Sequence, residues 1–279
     1  MTELGYCAQQ VRRFDHDRFI CTLFAPPQER EALAALYAFN AEVARIRESV
    51  RQPLLGRIRL QWWADTVDAV FAGRPPQHEI AQALSSAVRQ FRLDRSPFDR
   101  LLETRALDMN DQAPADIEAL LVYAEGTSAT LGLLSLDVLG VEEEAVRAAA
   151  RDVAIAWALT GVLRAVPFHA SQRRIYLPAS LNREAGLDVF QLFEMRSPEP
   201  LKVVVAAVAE CAQARLKAAR AAGRNIPRQA LPVLLPATLA DGYLRDLQRA
   251  AFDPFNVSIQ KAGPLQLAKL AFNAARRRY

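Results

Sequence analysis

Two pairs of carboxylates stand three residues apart in this chain, Asp65 with Asp68 and Asp108 with Asp111. On a helix that spacing puts both side chains on one face, and such a pair can bind a hard cation such as Mg2+. A solvated helix surface produces the same spacing. Glu48 closes the run EVARIRES, where Glu42, Arg45, Arg47 and Glu48 are spread around the helix as a charged face usually is. The other groups capable of chemistry are dispersed. Cys7, Cys21 and Cys211 are odd in number and widely spaced, which reads as buried free thiols. His16, His78 and His169 are equally scattered. No zinc site is expected, and no metal centre is assigned.

The elements that must position these groups are helical. Alanine, leucine and arginine dominate, glycine is scarce, and runs of β-branched residues are few. Pro26-Pro27 announces a helix to about Val50, with Leu33, Leu36, Tyr37, Asn40, Val43 and Ala44 on one face. Others are expected over Leu55 to Phe71, Glu79 to Phe91, Ser96 to Met109, and Asp116 to Gly140. The stretch Arg151 to Pro178 organises the rest. From Val153 to Leu163 nothing is charged, so this helix belongs inside the protein, and Pro167 is expected to end it. Ala154, Ala158, Gly161 and Ala165 form a stripe of small residues along it. That stripe means either a neighbouring helix packed closely or the wall of a cavity. About ten helices are expected, forming one domain over residues 1–279.

Composition limits the surroundings. Apolar residues make up 51% of 279, enough for a sizeable core. No window reaches the roughly 18 apolar residues that span a bilayer, and the N-terminus has no apolar signal core, so the cytoplasm is the expected compartment. The net charge of +4 is too weak to argue for nucleic acid. The basic, amphipathic tail, with Lys261, Lys269 and Arg276 to Arg278 beside Leu265, Leu267, Leu270 and Phe272, could touch an anionic membrane surface. It could equally be a final helix whose arginines suit its C-terminal dipole.

Three segments resemble the squalene/phytoene synthase family. ALYAFNAEVARIRES at 35–49 is similar to its first aspartate-rich helix, YAFCRxxDDxxD. YAEGTSATLGLL at 123–134 is similar to its YCxxVAGxVGxM segment. ALTGVLRAVPFHASQRRIYLP at 158–178 is similar to its second motif, QLTNILRDVxEDxxRGRIYLP. The resemblance implies an all-α isoprenoid synthase fold, with helices around a central apolar cavity for prenyl chains. The small-residue stripe then reads as cavity wall. It also implies ligand-binding roles for Tyr37, Asn40, Ala158, Gly161, Arg164, Arg174 and Tyr176.

The departures bear on activity. The family joins two prenyl diphosphates head to head, with carboxylates holding the Mg2+ that neutralises the leaving diphosphate. By this resemblance the two adjacent aspartates of the first motif fall on Ala44 and Arg45, and only Glu48 keeps an acid. The glutamine and asparagine of the second motif become Ala158 and Gly161, and its acids become Ala165, Phe168 and His169. Loss of both motifs with RIYLP and FNxE kept is similar to one branch of the family, the respiratory complex I assembly factor branch and its bacterial relatives. The resemblance therefore implies a non-catalytic protein without a cofactor. Its expected partners are an isoprenoid or lipid and complex I subunits or assembly factors, in the cytoplasm or at the periphery of the inner membrane. The alternative is an active prenyl transferase with a rearranged Mg2+ site drawing on Glu48, Asp65, Asp68, Asp108 or Asp111. His169, in an aspartate's place, is expected to be a loop residue held by nearby backbone.

Overall fold

A computed structural model describes residues 4–50, 52–110, 112–222, 226–256 and 264–279, with Pro264 and Leu265 by backbone only. Among them there are helices and no strands, as expected. Seventeen α-helical segments are present, of which eleven have eight residues or more. Ile117–Ala124 and Thr130–Val138 are the two parts of one expected helix, so the longer ones come to the ten expected.

The chain divides into two compact units. The first comprises Met1–Asn110, Thr130–Arg147 and Asn225–Val233. Its centre is the Pro27–Ala44 helix, which begins with proline at its first position and is buried on every side from Ala32 to Ala41. It packs against Tyr6–Phe14, Glu79–Phe91 and Thr130–Val138. Phe39 on this helix is fully buried. Its ring meets Trp63 edge-on at 5.2 Å and Phe98 at 5.8 Å, tying the helix to Pro53–Phe71 and Ser96–Arg105. The helix stops at Arg45, short of the expected Val50, and a single turn Ile46–Ser49 follows. The guanidinium of Arg45 lies 3.5 Å from the ring centroid of Phe14, a contact made across helices.

The second unit comprises Asp111–Ala129, Ala148–Arg224 and Leu234–Tyr279. Glu199–Ala222 packs against Pro236–Arg249 and Ala179–Glu184. Arg220 ties three segments together. It pairs with Asp241 at 2.8 Å and donates through Nε to the Tyr279 carbonyl, while Tyr279 Oη donates to the Ala219 carbonyl at 2.7 Å. Arg215 pairs with Asp152 at 3.1 Å, and Arg151 with Glu125 at 2.7 Å. The organising helix, Glu144–Arg164, ends just before Pro167 as expected, but that proline does not leave the chain extended. It sits in the first turn of a new one, Val166–Ser171, where its missing N–H costs nothing.

The expected tail helix forms as Pro264–Ala275 and packs on Pro236–Arg249. Leu270 and Ala274 are buried, and Asn273 donates to Thr238 Oγ1 at 2.9 Å. Lys261 lies outside the described residues. The segment Ile117–Val138 corrects one expectation, since it is long and apolar enough to cross a bilayer. However, 67% of its apolar window is buried, as in a core helix. A π turn at Glu125–Ala129 interrupts it, and Thr127 Oγ1 there donates to the Tyr123 carbonyl at 2.7 Å.

All three cysteines are free, Cys7 and Cys21 buried and Cys211 half-buried. Burial pushes the Cys7 thiol up to about 11 and that of Cys21 still higher. A thiol reagent applied to the native protein will therefore modify Cys211 first and reach Cys7 and Cys21 only on unfolding. Peptide mapping after timed labelling checks this, and early modification of Cys21 would contradict it.

Candidate functional site

In the first unit the candidate residues follow one helix and its end. Tyr37 is buried and hydrogen-bonded to Ser135, and burial raises its hydroxyl to about 12. The Arg18 guanidinium stands 5.6 Å from its ring, and Arg18 is itself paired with Asp15 at 2.7 Å. One turn on, Asn40 is buried, and its Oδ1 has no hydrogen-bond partner among the described residues. A buried amide oxygen left this way is uncommon and marks a place where a donor would be accepted. Ala44 is half-buried, Arg45 lies on Phe14, and Glu48 is exposed.

Beside Arg45 lies a cavity of about 280 Å3, lined by Glu42, Arg45, Ser49, Arg59, Trp62 and His78 among others. Arg59 Nη1 donates to Ser49 Oγ at 2.7 Å. The ring centroids of Trp62 and Trp63 each lie 5.4 Å from that of His78, and His78 Nδ1 is buried without a hydrogen-bond partner among the described residues. Sequence reasoning passed over this cavity. The only signal was Trp62-Trp63 in a helix that already had a buried face.

In the second unit the small-residue stripe does not pack closely. Ala154 is buried, Ala158 and Ala165 are half-buried, and Gly161 is exposed. A Cβ placed on Gly161 would meet nothing within 4 Å. Of the two readings offered for the stripe, tight helix packing is the one this excludes at Gly161. One turn on, the Arg164 guanidinium lies 3.7 Å from the ring centroid of Tyr243, which also meets Trp157 at 6.3 Å. Arg164 and Tyr243 are some 80 positions apart in the chain, and no local signal pairs them.

His169 is helical rather than a loop residue. Its N–H donates to the Ala165 carbonyl at 2.8 Å, and its own carbonyl accepts from Arg174 N at 2.9 Å. Its ring lies 4.4 Å from that of Tyr176 and 5.7 Å from that of Phe168. Burial, followed by the Arg174 cation, lowers its pKa to about 4, so it is neutral at pH 7. His169, Arg174 and Tyr176 thus form one cluster around a slot of about 10 Å3, smaller than a water molecule's share of the liquid.

The carboxylate pairs do not converge. Asp65 and Asp68 are both exposed, with Asp65 accepting from Gln61 at 2.8 Å and Asp68 paired with Arg95. Asp108 is buried against Arg105 at 3.3 Å. Asp111 lies outside the described residues. Among those described, no three His, Cys, Asp or Glu side chains gather where they could hold a metal ion.

Comparison with solved structures defines the class of protein. The backbone superposes on a dehydrosqualene synthase with a TM-score of 0.84, at 18% identity, covering 98% of this chain and 95% of that one. The match to squalene synthase HpnC from Alicyclobacillus acidocaldarius has a TM-score of 0.77, at 20% identity, over 89% and 94%. This is the isoprenoid synthase fold. The squalene/phytoene synthase family pattern matches residues 11–270, and the chain belongs to that family. Among its relatives, NADH dehydrogenase (ubiquinone) complex I, assembly factor 6 of Bos taurus is 32% identical over 98% of this chain and 82% of that protein. The human protein of that name is 29% identical over the same shares. A chloroplastic phytoene synthase from Narcissus pseudonarcissus is 32% identical, but over 66% of this chain and 44% of its own length.

Proposed function

We infer that this chain supports the assembly of respiratory complex I, binding an isoprenoid or lipid without performing prenyl transfer. The observation that carries the reading is similarity over 98% of the chain to proteins named complex I assembly factor 6. The chemistry of the motif positions agrees with it. A leaving diphosphate needs Mg2+ held by several carboxylates. Ala44, Arg45, Ala165, Phe168 and His169 supply two methyl groups, a guanidinium lying on Phe14, a phenyl ring and an imidazole tilted against Tyr176. With Glu48 as the one carboxylate, this set does not fit the ion, and no reaction step is derived through it. Within the first unit, Asn40 Oδ1 and Tyr37 are groups that could contact a ligand; within the second, the open stripe at Gly161 is another. The expected setting is the cytoplasm or the periphery of the inner membrane, without nucleic acid.

Deleting the gene tests the assembly role. Complex I is expected to fall on native gels and in NADH:ubiquinone oxidoreductase activity, and normal levels would sink the reading. A second reading, prenyl transfer with a rearranged metal site, is favoured by the likeness to phytoene synthases. Purified protein mixed with farnesyl or geranylgeranyl diphosphate and Mg2+ or Mn2+ separates the two. No metal-dependent diphosphate release above a boiled control is expected. A bound prenyl compound at a hundred times its Kd should raise the melting temperature by about 5 °C. Metal-dependent release would establish the second reading instead.

A further inference from the structure

The Pro53–Phe71 helix buries Gly56, Leu60, Trp63, Thr66, Val67 and Val70 within the first unit. A helix with one buried face is ordinarily polar on the other. Here Leu54, Leu55, Ile58 and Trp62 are 65%, 48%, 57% and 43% exposed. Their spacing runs them along the same side of the first turns. Leu107, 52% exposed, lies on the Ala106–Met109 turn that packs against this helix. Single exposed leucines are normal on a soluble protein, but several large apolar side chains together are the mark of an interaction surface.

The charges identify the occupant. Arg57 and Arg59 are exposed beside the apolar side chains, and no Asp or Glu occurs from Pro53 to Ala64. The first acids on the helix, Asp65 and Asp68, come after Trp62 and are engaged by Gln61 and Arg95. Apolar side chains, a half-exposed tryptophan and two cations whose hydrogen bonds among the described residues go to the neutral Asn110 and Ser49 match the boundary of an anionic bilayer, where acyl chains, interface and phosphates lie in layers. The cavity lined by Arg45, Ser49, Arg59, Trp62 and His78, with Glu42 as its acid, shares Arg59 and Trp62 with this face. The tail is less suited, because Leu270 and Ala274 of its helix are already buried.

We propose that the Pro53–Trp62 face docks on a bilayer containing anionic phospholipids. Leu54, Leu55 and Ile58 enter the headgroup–acyl boundary, Trp62 sits at the interface, and Arg57 and Arg59 meet phosphates. The proposal is independent of both the complex I role and the nature of any bound isoprenoid.

Co-sedimentation of the full chain with phosphatidylcholine vesicles, with and without phosphatidylglycerol, tests it. Wild-type protein is expected to sediment with the phosphatidylglycerol vesicles and to be released by high salt. R57Q/R59Q should bind them about thirtyfold more weakly. L55Q/I58Q/W62Q should lose binding while keeping wild-type circular dichroism and a cooperative melt, lowered only by the lost contacts of Trp62 with Trp63 and His78. Wild-type protein that stays in the supernatant would overturn the proposal, as would wild-type binding by a folded triple variant. Loss of binding in L267Q/F272Q with the helix face intact would assign the contact to the tail. A triple variant that binds vesicles but fails to support complex I would assign the face to a protein partner.

Discussion

Replacing Phe39 by alanine will destabilise the folded chain by about 4 kcal/mol, within the range for a large aromatic lost from a packed core. The ring is fully buried and touches Trp63 and Phe98, each on a different helix, so no single neighbour can move in to fill the space. For a chain of this size the melting temperature should fall by about 7 °C. Phe39→Leu should cost less than half as much, because it removes the edge-on ring contacts but leaves most of the volume filled. Thermal and denaturant unfolding of the three proteins checks this. Equal losses in the two variants would mean that the ring geometry, and not the filled volume, holds the helix that carries Tyr37 and Asn40.

Acidification from pH 7 to pH 5 will cost about 2 kcal/mol through His169 alone. The direction follows from where the proton binds. In the unfolded chain the imidazole titrates near its ordinary 6.5, whereas in the fold burial and Arg174 bring it to about 4. Between those values the unfolded chain holds a proton that the native state refuses. The contribution is fully present above the unfolded value and is lost as pH falls toward 4. His169→Phe keeps a ring against Tyr176 and cannot be protonated. The difference in unfolding free energy between wild type and variant, followed over pH 7 to 5, isolates this site from carboxylates common to both. A flat difference would show that the native cluster accepts the proton freely.

What the sequence made legible was mostly local. Pro27, Pro53 and Pro97 each open a helix within two residues of the expected place, because proline at a helix start needs no partner elsewhere. Glu79–Phe91 forms as expected. The family motifs pointed to Tyr37 and Asn40, which lie buried one turn apart, and to Arg174 and Tyr176, which lie around His169. What was not legible depends on distant residues. Nothing within EVARIRES says that Phe14 will receive Arg45 where the helix stops, and nothing near Arg164 points to Tyr243. The π turn at Glu125–Ala129 is invisible to a 3.6-residue pattern, since an extra residue is absorbed where the pattern assumes none. Pro167 marked the stop at Arg164 but not the short helix Val166–Ser171 that it opens, because the same residue that disfavours helix before it favours helix after it. The exposed apolar face of Pro53–Phe71 was not legible either, because a helix with apolar residues on two sides does not show in its sequence which side meets a neighbour.

The three tryptophans of this chain occupy unlike surroundings, Trp63 and Trp157 buried and Trp62 with nearly half its surface in water. The protein therefore carries its own optical probe. Emission at long wavelength, and its suppression by a soluble collisional quencher such as iodide or acrylamide, should come almost wholly from Trp62. Whatever covers that helix face, whether bilayer or protein, should shift the emission to the blue and shield it from the quencher. Events confined to the Arg164–Tyr243 neighbourhood should register at Trp157 instead. Three single-tryptophan proteins would let occupancy of the two regions be followed separately in solution, without any added dye.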